Sequence, residues 1–234
     1  MLRLFALGRR KDSLTRPDYH HALLNRHAPL VKACESFQRY CTHYHQNHVA
    51  GSVVSDAHDG LRTEQARFDN CSEFWFENLD AILKTFNHPS YLRTVRPDEP
   101  NWTDGSTRVV FLAEETEIPV TERVGSAATK LLVLVPEHSR NQNPADFPLP
   151  RLPGCMRHTE NRILGQLDLQ KGQLAETSEL PFVHLSELWF ESPRALLGWL
   201  AAGGAGALRG TSSAESQPDS AARVALWASE HVIF

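Results

Sequence analysis

The sequence lacks the features that mark several specialised classes of protein. Its four cysteines, Cys34, Cys41, Cys71 and Cys155, form no CxxC pair, which argues against a zinc ribbon or redox motif and favours reduced, cytosolic thiols. No apolar run approaches the roughly 20 residues that a membrane-spanning helix needs, and the first residues lack the apolar core of a secretory signal. We therefore expect a cytoplasmic protein with no membrane partner.

An excess of positive charge is also missing. The 24 Lys and Arg residues and the 28 Asp and Glu residues give a net charge of −4, and there is no basic tract. Binding to nucleic acid needs clustered cations, so we expect no nucleic-acid partner. The P-loop, GxGxxG, GxSxG and protein-kinase motifs are absent too, which leaves ATP, dinucleotide and serine-hydrolase chemistry without support.

What the sequence does have is an ordinary globular composition and many histidines. Hydrophobic residues make up 41% and charged residues 22% of the 234 residues. Seven of the twelve histidines fall between residues 20 and 58. This concentration is the first indication of a functional site in the N-terminal half.

The chain repeats itself at an offset of 114 residues. Residues 72–77 read Ser-Glu-Phe-Trp-Phe-Glu, and residues 186–191 read Ser-Glu-Leu-Trp-Phe-Glu. Asn47 falls on Asn161 at the same offset. Because an internal repeat decides the fold, we interpret the chain as two copies of one module, over residues 1–117 and 130–234.

The first copy has the element order β-α-β-β-α-β of a ferredoxin-like module, and the sequence predicts an α+β fold. The predicted elements of this copy are strands over 2–7, 39–49, 68–76 and 107–114 and helices over 16–37 and 78–86. The second copy is degenerate, because Pro144, Pro148, Pro150 and Pro153 break its first helix. Its predicted elements are strands over 130–135, 156–164, 182–190 and 223–233 and a helix over 193–202, with a mobile Gly/Ala/Ser-rich loop over 203–221.

Two such modules leave one sheet face each without helices. Burying these faces against each other makes an intramolecular α/β barrel. A cavity between two sheets is a natural site for a small molecule, so we expect the ligand to bind inside the barrel.

Four segments of the first copy resemble the EthD family, which belongs to the dimeric α/β-barrel superfamily. They read His-Ala-Pro-Leu-Val at 27–31, Tyr-His-Gln-Asn-His-Val at 44–49, Glu-Phe-Trp-Phe-Glu at 73–77 and Asp-Glu-Pro-Asn-Trp-Thr-Asp at 98–104. The resemblance covers residues 2–116 well and the second copy only through residues 186–191. Since the second copy lacks the first and last segments, we expect one complete site rather than two.

The inward strand face supplies the first candidate residues. Strand parity places Phe74 and Phe76 under the helices and Glu73 and Trp75 on the other face, matched by Glu187 and Trp189 in the second copy. A buried Glu is costly unless it is paired or functional, and burial raises its pKa toward neutrality. Glu73 is therefore a candidate acid or base, and Trp75, Glu187 and Trp189 are candidate substrate-binding residues. The alternative is that each Glu forms a salt bridge with an Arg such as Arg39 or Arg157.

The histidine-rich strand supplies the second group of candidates. His45 and Asn47 share one face and Tyr44 and His48 the other, and both faces are polar, so parity does not choose the inner one. Histidine moves protons at physiological pH. We expect at least one of His45 and His48 to be catalytic, with Tyr44 and Asn47 binding substrate.

The helix end and the acidic loop complete the candidate site. The family resemblance makes His27 a candidate acid or base. The acidic loop carries Trp102, and as a lid over the cavity it would supply Asp98 or Asp104 as a partner for a histidine. The alternatives are a helix cap for His27 and a solvated turn for the loop. His20 and His27 lie near one helical face, but nothing completes a metal-ligand set, so no metal is expected.

These residues predict a cofactor-independent enzyme of the lyase type. Histidine and glutamate would move protons during decarboxylation, dehydration or cyclisation of a small hydrophobic, aromatic or polyketide-like molecule. The alternatives are a cofactor-free monooxygenase of activated phenols or anthrones and a non-catalytic or haem-linked binder. We expect the tandem chain to be a monomer or a homodimer.

Overall fold

Strand β1, Leu2–Arg10, has side chains that alternate between two buried environments. Leu4 packs with the helices of the N-terminal half, whereas Phe5 and Leu7 belong to a second apolar cluster on the opposite face. Arg3 points the same way as Phe5 and is also buried. Both faces of this strand are therefore covered, which is the situation inside a barrel wall that carries helices outside.

The computed structural model describes residues 1–56, 60–64, 67–120, 129–136, 154–168, 173–174, 182–204, 208 and 224–234. Besides β1, its strands are β2 Cys41–Asp56, β3 Gly60–Glu64, β4 Asn70–Phe76, β5 Thr103–Ile118, β6 Thr129–Pro136, β7 Arg157–Asp168, β8 Gln173–Leu174, β9 Phe182–Phe190 and β10 Val224–Val232. Its α-helices are α1 Arg16–Ala22, α2 Ala28–Ala33, α3 Glu35–Tyr40, α4 Leu79–Asn87 and α5 Pro193–Trp199.

Eight of these strands form a closed antiparallel barrel. The order around the ring is β10-β6-β9-β7-β5-β1-β4-β2, and pairing of β10 with β2 closes it. The short strands β3 and β8 pair with β2 and β7 beside the ring. The α+β class is confirmed, and the predicted strands recur with shifts of a few residues at their ends.

The two halves of the barrel share one strand order and one register. The order β5-β1-β4-β2 of the first half corresponds to β10-β6-β9-β7 in the second. Trp75 pairs with Arg3 in the first half, and Trp189 pairs with Lys130 in the second. Glu73 lies opposite His45, and Glu187 lies opposite Thr159. Positions 114 residues apart in β2 and β7, and in β4 and β9, are therefore equivalent.

The predicted long helix over 16–37 is wrong as one element. Thr15 caps its start by accepting a hydrogen bond from the Asp18 backbone N–H. A π-helical turn then covers Leu23–His27, with the Ala28 N–H bonded to the Leu23 carbonyl. Pro29 explains the wider turn, because its ring would clash with the carbonyl four residues earlier in a regular helix.

Several predicted segments lie outside the described residues. These are the proline-rich stretch with Pro144, Pro148, Pro150 and Pro153 and most of the Gly/Ala/Ser-rich segment over 203–221. In the part that is described, no helix is both long and apolar enough to cross a membrane. The four cysteines are free thiols.

Candidate active site

A small apolar pocket lies between the helices and the outer face of the first half of the barrel. Its volume is about 60 Å³. Phe74 of β4, Leu4 of β1 and Val31 of α2 line its apolar part, and His27 enters from the π-helical turn. The pocket is therefore outside the barrel wall, not inside the ring where the sequence predicted it.

His27 is held in one tautomer by a carboxylate. Its Nδ1 lies 3.2 Å from Oδ2 of Asp98, and both side chains are about nine-tenths buried. An ionised carboxylate accepts only, so Nδ1 carries the proton and donates it to this bond. No hydrogen bond reaches the other ring nitrogen from the described residues, which leaves the Nε2 lone pair available in the neutral ring.

Asp98 is fixed by a short turn that the acidic loop forms. A 3₁₀ turn over Glu99–Asn101 brings Trp102 back so that its indole Nε1–H donates to Asp98 Oδ2 at 3.0 Å. The Trp102 ring meets His27 edge-on, with 4.6 Å between centroids. The hydrogen bonds from His27 and Trp102 lower the pKa of Asp98 below its ordinary value, so the carboxylate stays ionised. Of the two predicted partners, Asp98 reaches a histidine, whereas Asp104 accepts from Ser106 at the surface.

A second polar chain reaches the same pocket. The Tyr91 hydroxyl donates to Glu99 Oε1 at 2.8 Å, and Arg108 Nη1 lies 2.7 Å from Glu99 Oε2. Burial raises the pKa of Tyr91 well above its ordinary value, so the phenol keeps its proton. Sequence reasoning missed this chain, because Arg108 lies on β5 and no local motif links it to Glu99.

The pocket adjoins a larger cleft of about 840 Å³. Tyr91, Glu99, Thr103 and Arg108 line both spaces. The cleft volume lies within the ordinary range for small-molecule sites, roughly 300–1,000 Å³. A ring-sized ligand therefore fits only with its reacting end in the apolar pocket and its remainder in the cleft.

The barrel interior, where several predicted site residues point, is filled by charge pairs. We call this set the buried charge cluster; its members are Arg3, Asn47, Glu73, Glu115, Lys130, Asn161, Glu187 and Glu230. Arg3 Nη2 lies 2.7 Å from Glu73 and also contacts Glu187. Lys130 Nζ lies 2.6 Å from Glu73. Three members have no exposed surface: Glu73, Glu187 and Lys130. Glu73 therefore forms the salt bridge that was the alternative to a catalytic role, but its partners are Arg3 and Lys130 instead of Arg39 or Arg157.

The cluster distributes its protons unequally. Burial, together with the neighbouring Glu187, raises the pKa of Glu73 to about 8. Burial acts on Glu187 in the same direction, but Arg3 and Lys130 outweigh it and lower the pKa of that carboxyl. Glu73 thus has the raised pKa that the sequence predicted, but it lies away from the apolar pocket.

The predicted substrate-binding residues of the barrel interior belong to this cluster or flank it. Asn47 donates to Glu73 Oε1 at 2.6 Å and to the Cys71 carbonyl, and Asn161 makes the matching pair of bonds to Glu187 and Leu185. Trp75 lies against the Arg3 guanidinium and Trp189 against the Lys130 ammonium, at 4.4 and 4.3 Å from the ring centroids. These contacts give the two asparagines and the two tryptophans a structural role in the buried charge cluster.

His45, Glu73 and Glu230 bring three potential metal-ligand atoms close together. Lys130 Nζ already lies between the two carboxylates, at 2.6 Å from Glu73 and 3.0 Å from Glu230. His45 Nδ1 is 3.2 Å from Glu230. The ammonium therefore already binds the two carboxylates that a metal ion would need.

Tyr44 and His48 lie on the outer face of β2, separate from His45 and Asn47. The Tyr44 ring stacks on Phe74 at 4.5 Å, and its hydroxyl accepts from Gln46 at 2.6 Å. His48 lies between the rings of His20 and His231 at 4.5 and 4.3 Å. His20 and His27, the pair weighed as metal ligands, bind different groups, the Asp69 carbonyl and the Asp98 carboxylate. Neither Tyr44 nor His48 lines the apolar pocket in the described structure.

Comparison with known proteins gives one family. Residues 11–106, which contain His27, Asp98 and Trp102, match the family model of the EthD domain. This segment is similar to an EthD domain. The sequence resemblance is confirmed over these residues.

Two proteins similar to this chain are informative. The dehydratase ustZ of Ustilaginoidea virens is 26% identical over 106 residues, which cover 44% of this chain and 76% of the relative. A solved structure described as an anthrone oxidase-like protein aligns with a TM-score of 0.57 at 11% identity, over 99% of this chain and 93% of that one. The second likeness supports the barrel fold and no more.

Proposed function

We propose that this EthD-domain protein is a cofactor-independent dehydratase of small aromatic or polyketide-like molecules. The observation that carries the proposal is the Asp98–His27 pair beside an apolar pocket: Asp98 engages Nδ1, and Nε2 has no hydrogen-bond partner among the described residues. The relative described as a dehydratase supports the reaction class.

Dehydration of a β-hydroxy ketone suits one positioned imidazole. His27 Nε2 takes the proton from the carbon next to the carbonyl, and the electrons of the C–H bond form an enolate. The imidazolium, stabilised by Asp98, then returns this proton to the β-hydroxyl oxygen as its C–O bond breaks, so the products are an unsaturated ketone and water. A hydrogen bond from one imidazole nitrogen to a carboxylate is a general way to orient a histidine that acts as a base.

The second polar chain gives the substrate its orientation in this scheme. The Tyr91 proton is engaged by Glu99, so the phenol oxygen offers a lone pair to the substrate hydroxyl. Arg108 places positive charge at the junction of pocket and cleft. We expect the enolate oxygen to face this end.

The test uses 3-hydroxy-1-tetralone, whose dehydration yields 1-naphthol and is followed by fluorescence. We expect His27→Gln to lower kcat roughly 10²–10⁴-fold, the usual contribution of a general base. Asp98→Asn should cost less but shift the pH profile, because the amide no longer selects the Nδ1–H tautomer. His21→Gln, an exposed neighbour in α1, is the matched control.

Glu73→Gln separates this site from the barrel interior that the sequence favoured. We expect the variant to keep kcat within a few fold, since Glu73 lies on the interior face of β4 and does not line the apolar pocket. Full activity of His27→Gln together with loss of activity in Glu73→Gln would refute the proposal.

A cofactor-free monooxygenase remains the second candidate, because deprotonation of an anthrone by His27 is the same first step. Oxygen uptake with anthrone, in the absence of tetralone dehydration, would favour it. A haem-linked binder is less well supported, because the pocket that His27 enters has only about 60 Å³.

We also infer that the two halves arose by tandem duplication of a ferredoxin-like module. The shared strand order and register support this, as do the equivalent N-caps Asn78 and Ser192, 114 residues apart. The EthD domain corresponds to most of the first module.

A further inference from the structure

A second group of titratable side chains lies on the outer face of the second half of the barrel. This second-half cluster consists of His158 and Glu160 on β7 and His184 and Ser186 on β9. Ser186 Oγ donates to Glu160 Oε2 at 2.6 Å, and His158 and His184 contact one oxygen each of the same carboxylate through their Nε2 atoms. Both histidines are more than nine-tenths buried.

The strand register places this cluster where the first half has the floor beneath its helices. Positions 114 residues apart are equivalent, so His184 corresponds to Asn70 and Ser186 to Ser72. Asn70 and Ser72 line the apolar pocket beside His27. By the same register, Glu160 corresponds to Gln46 and His158 to Tyr44. The second half therefore carries acid–base groups at positions where the first half carries neutral ones.

The hydrogen bonds of Glu160 determine what His184 presents. Burial opposes the charge on Glu160, but the bonds from His158, His184 and Ser186 outweigh it and lower the pKa to about 2. An ionised carboxylate accepts only, so His184 must donate its Nε2–H. In the neutral ring Nδ1 then holds a lone pair, and this buried atom has no hydrogen-bond partner among the described residues.

A buried acceptor without a partner is costly unless a ligand supplies a donor. Helix α5 packs on Leu188 and Phe190, which belong to the apolar cluster at the other end of β9. His184 Nδ1 therefore lacks one hydrogen-bond donor, which an O–H or N–H group would supply.

We propose that the second-half cluster is a second ligand site, in which His184 Nδ1 accepts a hydrogen bond from the hydroxyl of a phenol or enol. This proposal departs from the expectation of one complete site rather than two. The inference uses residues separate from His27 and Asp98 and does not depend on the proposed function.

The test measures binding of 2-naphthol by calorimetry in the His27→Gln variant, so that the first site no longer offers its free imidazole nitrogen. The matched ligand is 2-methoxynaphthalene, which has the same ring but no hydroxyl donor. We expect 2-naphthol to bind roughly tenfold more tightly, since the methyl ether leaves Nδ1 unpaired. In His27→Gln/His184→Gln this preference should vanish, whereas in His27→Gln/His21→Gln it should persist.

Nitrogen NMR of the imidazole rings tests the site without altering it. In His27→Gln protein, the His184 Nδ1 resonance should have the chemical shift of an unprotonated nitrogen and should move when 2-naphthol is added. A protonated Nδ1, an unmoved resonance, or equal binding of the two naphthalenes would overturn the proposal. Loss of dehydratase activity alone would bear on the first site only.

Discussion

Arg3 and Lys130 occupy equivalent positions in β1 and β6 and hold the charges of the barrel interior together. Each contacts both Glu73 and Glu187, and each lies against a tryptophan ring. The desolvation of several ions in one place is costly, so each cation is needed to offset the carboxylates around it. The cluster is a structural unit in which single changes have large effects.

At this scale we predict that Lys130→Met destabilises the protein by about 3–5 kcal/mol, because it leaves the buried carboxylates with only one of their two cations, Arg3. The free energy of unfolding from urea titration measures it. Lys84→Met is the matched control, since the Lys84–Asp80 pair is exposed and such pairs contribute little. A loss for Lys130→Met no larger than that for Lys84→Met would contradict the structural role.

At the scale of elements, the helices α4 and α5 begin with the same device in both halves. Asn78 accepts from the Ala81 N–H at 2.9 Å, and Ser192 accepts from the Ala195 N–H at 3.2 Å. Both caps satisfy a backbone donor that the first turn leaves free.

We predict that Asn78→Ala and Ser192→Ala each lower the stability by about 0.5–2 kcal/mol, because each removes the cap bond. Thermal unfolding by circular dichroism measures the loss, with the exposed Arg93→Ala as control. The two losses should add, since the caps belong to different halves. A cap variant as stable as the control would show that its hydrogen bond contributes nothing.

The sequence predicted elements better than it predicted the site. Period-two alternation sorted Phe74 and Phe76 from Glu73 and Trp75, because strand geometry fixes the faces. It did not predict that Arg3 and Lys130 fill the interior, since each lies in a short apolar strand far along the chain from its partners. The sequence did not decide whether Asp98 or Asp104 would contact a histidine, because the conformation of the loop determines which of the two side chains reaches it.

At the scale of the molecule, the seam between the halves carries a stack of three histidines. His20 of α1, His48 of β2 and His231 of β10 lie ring against ring. Burial lowers the pKa of all three, that of His48 to about 3. The charged groups beside them are Asp69, Arg16 and Glu230. The effect of burial is larger than that of these charges, so the neutral form of the rings is favoured.

We predict that stability is greatest near pH 6–7. Unfolded histidines bind protons below about pH 6.5, so stability falls as the pH drops from there toward the lowered folded values. Glu73 acts in the opposite sense: its pKa is raised to about 8, so the stability linked to its proton is lost as the pH rises through about 8. Thermal melting between pH 5 and 9 measures both effects.

Two variants distinguish the loss of stability at low pH (the acid limb) from the loss at high pH (the alkaline limb). His48→Gln should flatten the acid limb and Glu73→Gln the alkaline limb, while the exposed His21→Gln leaves both unchanged. An acid limb as steep in His48→Gln as in the parent protein would rule out the histidine stack as its cause.

Closure of the ring by β10 against β2 has a consequence for synthesis on the ribosome. β2 ends at residue 56, and the strand that covers its free edge begins at residue 224. One edge of β2 pairs early with β3 and β4, but about three quarters of the chain must be translated before the strand that pairs with its other edge is made. Contacts so distant in sequence slow folding, and an unpaired edge invites association with other chains. The nascent protein is therefore most vulnerable to aggregation just before its last strand emerges.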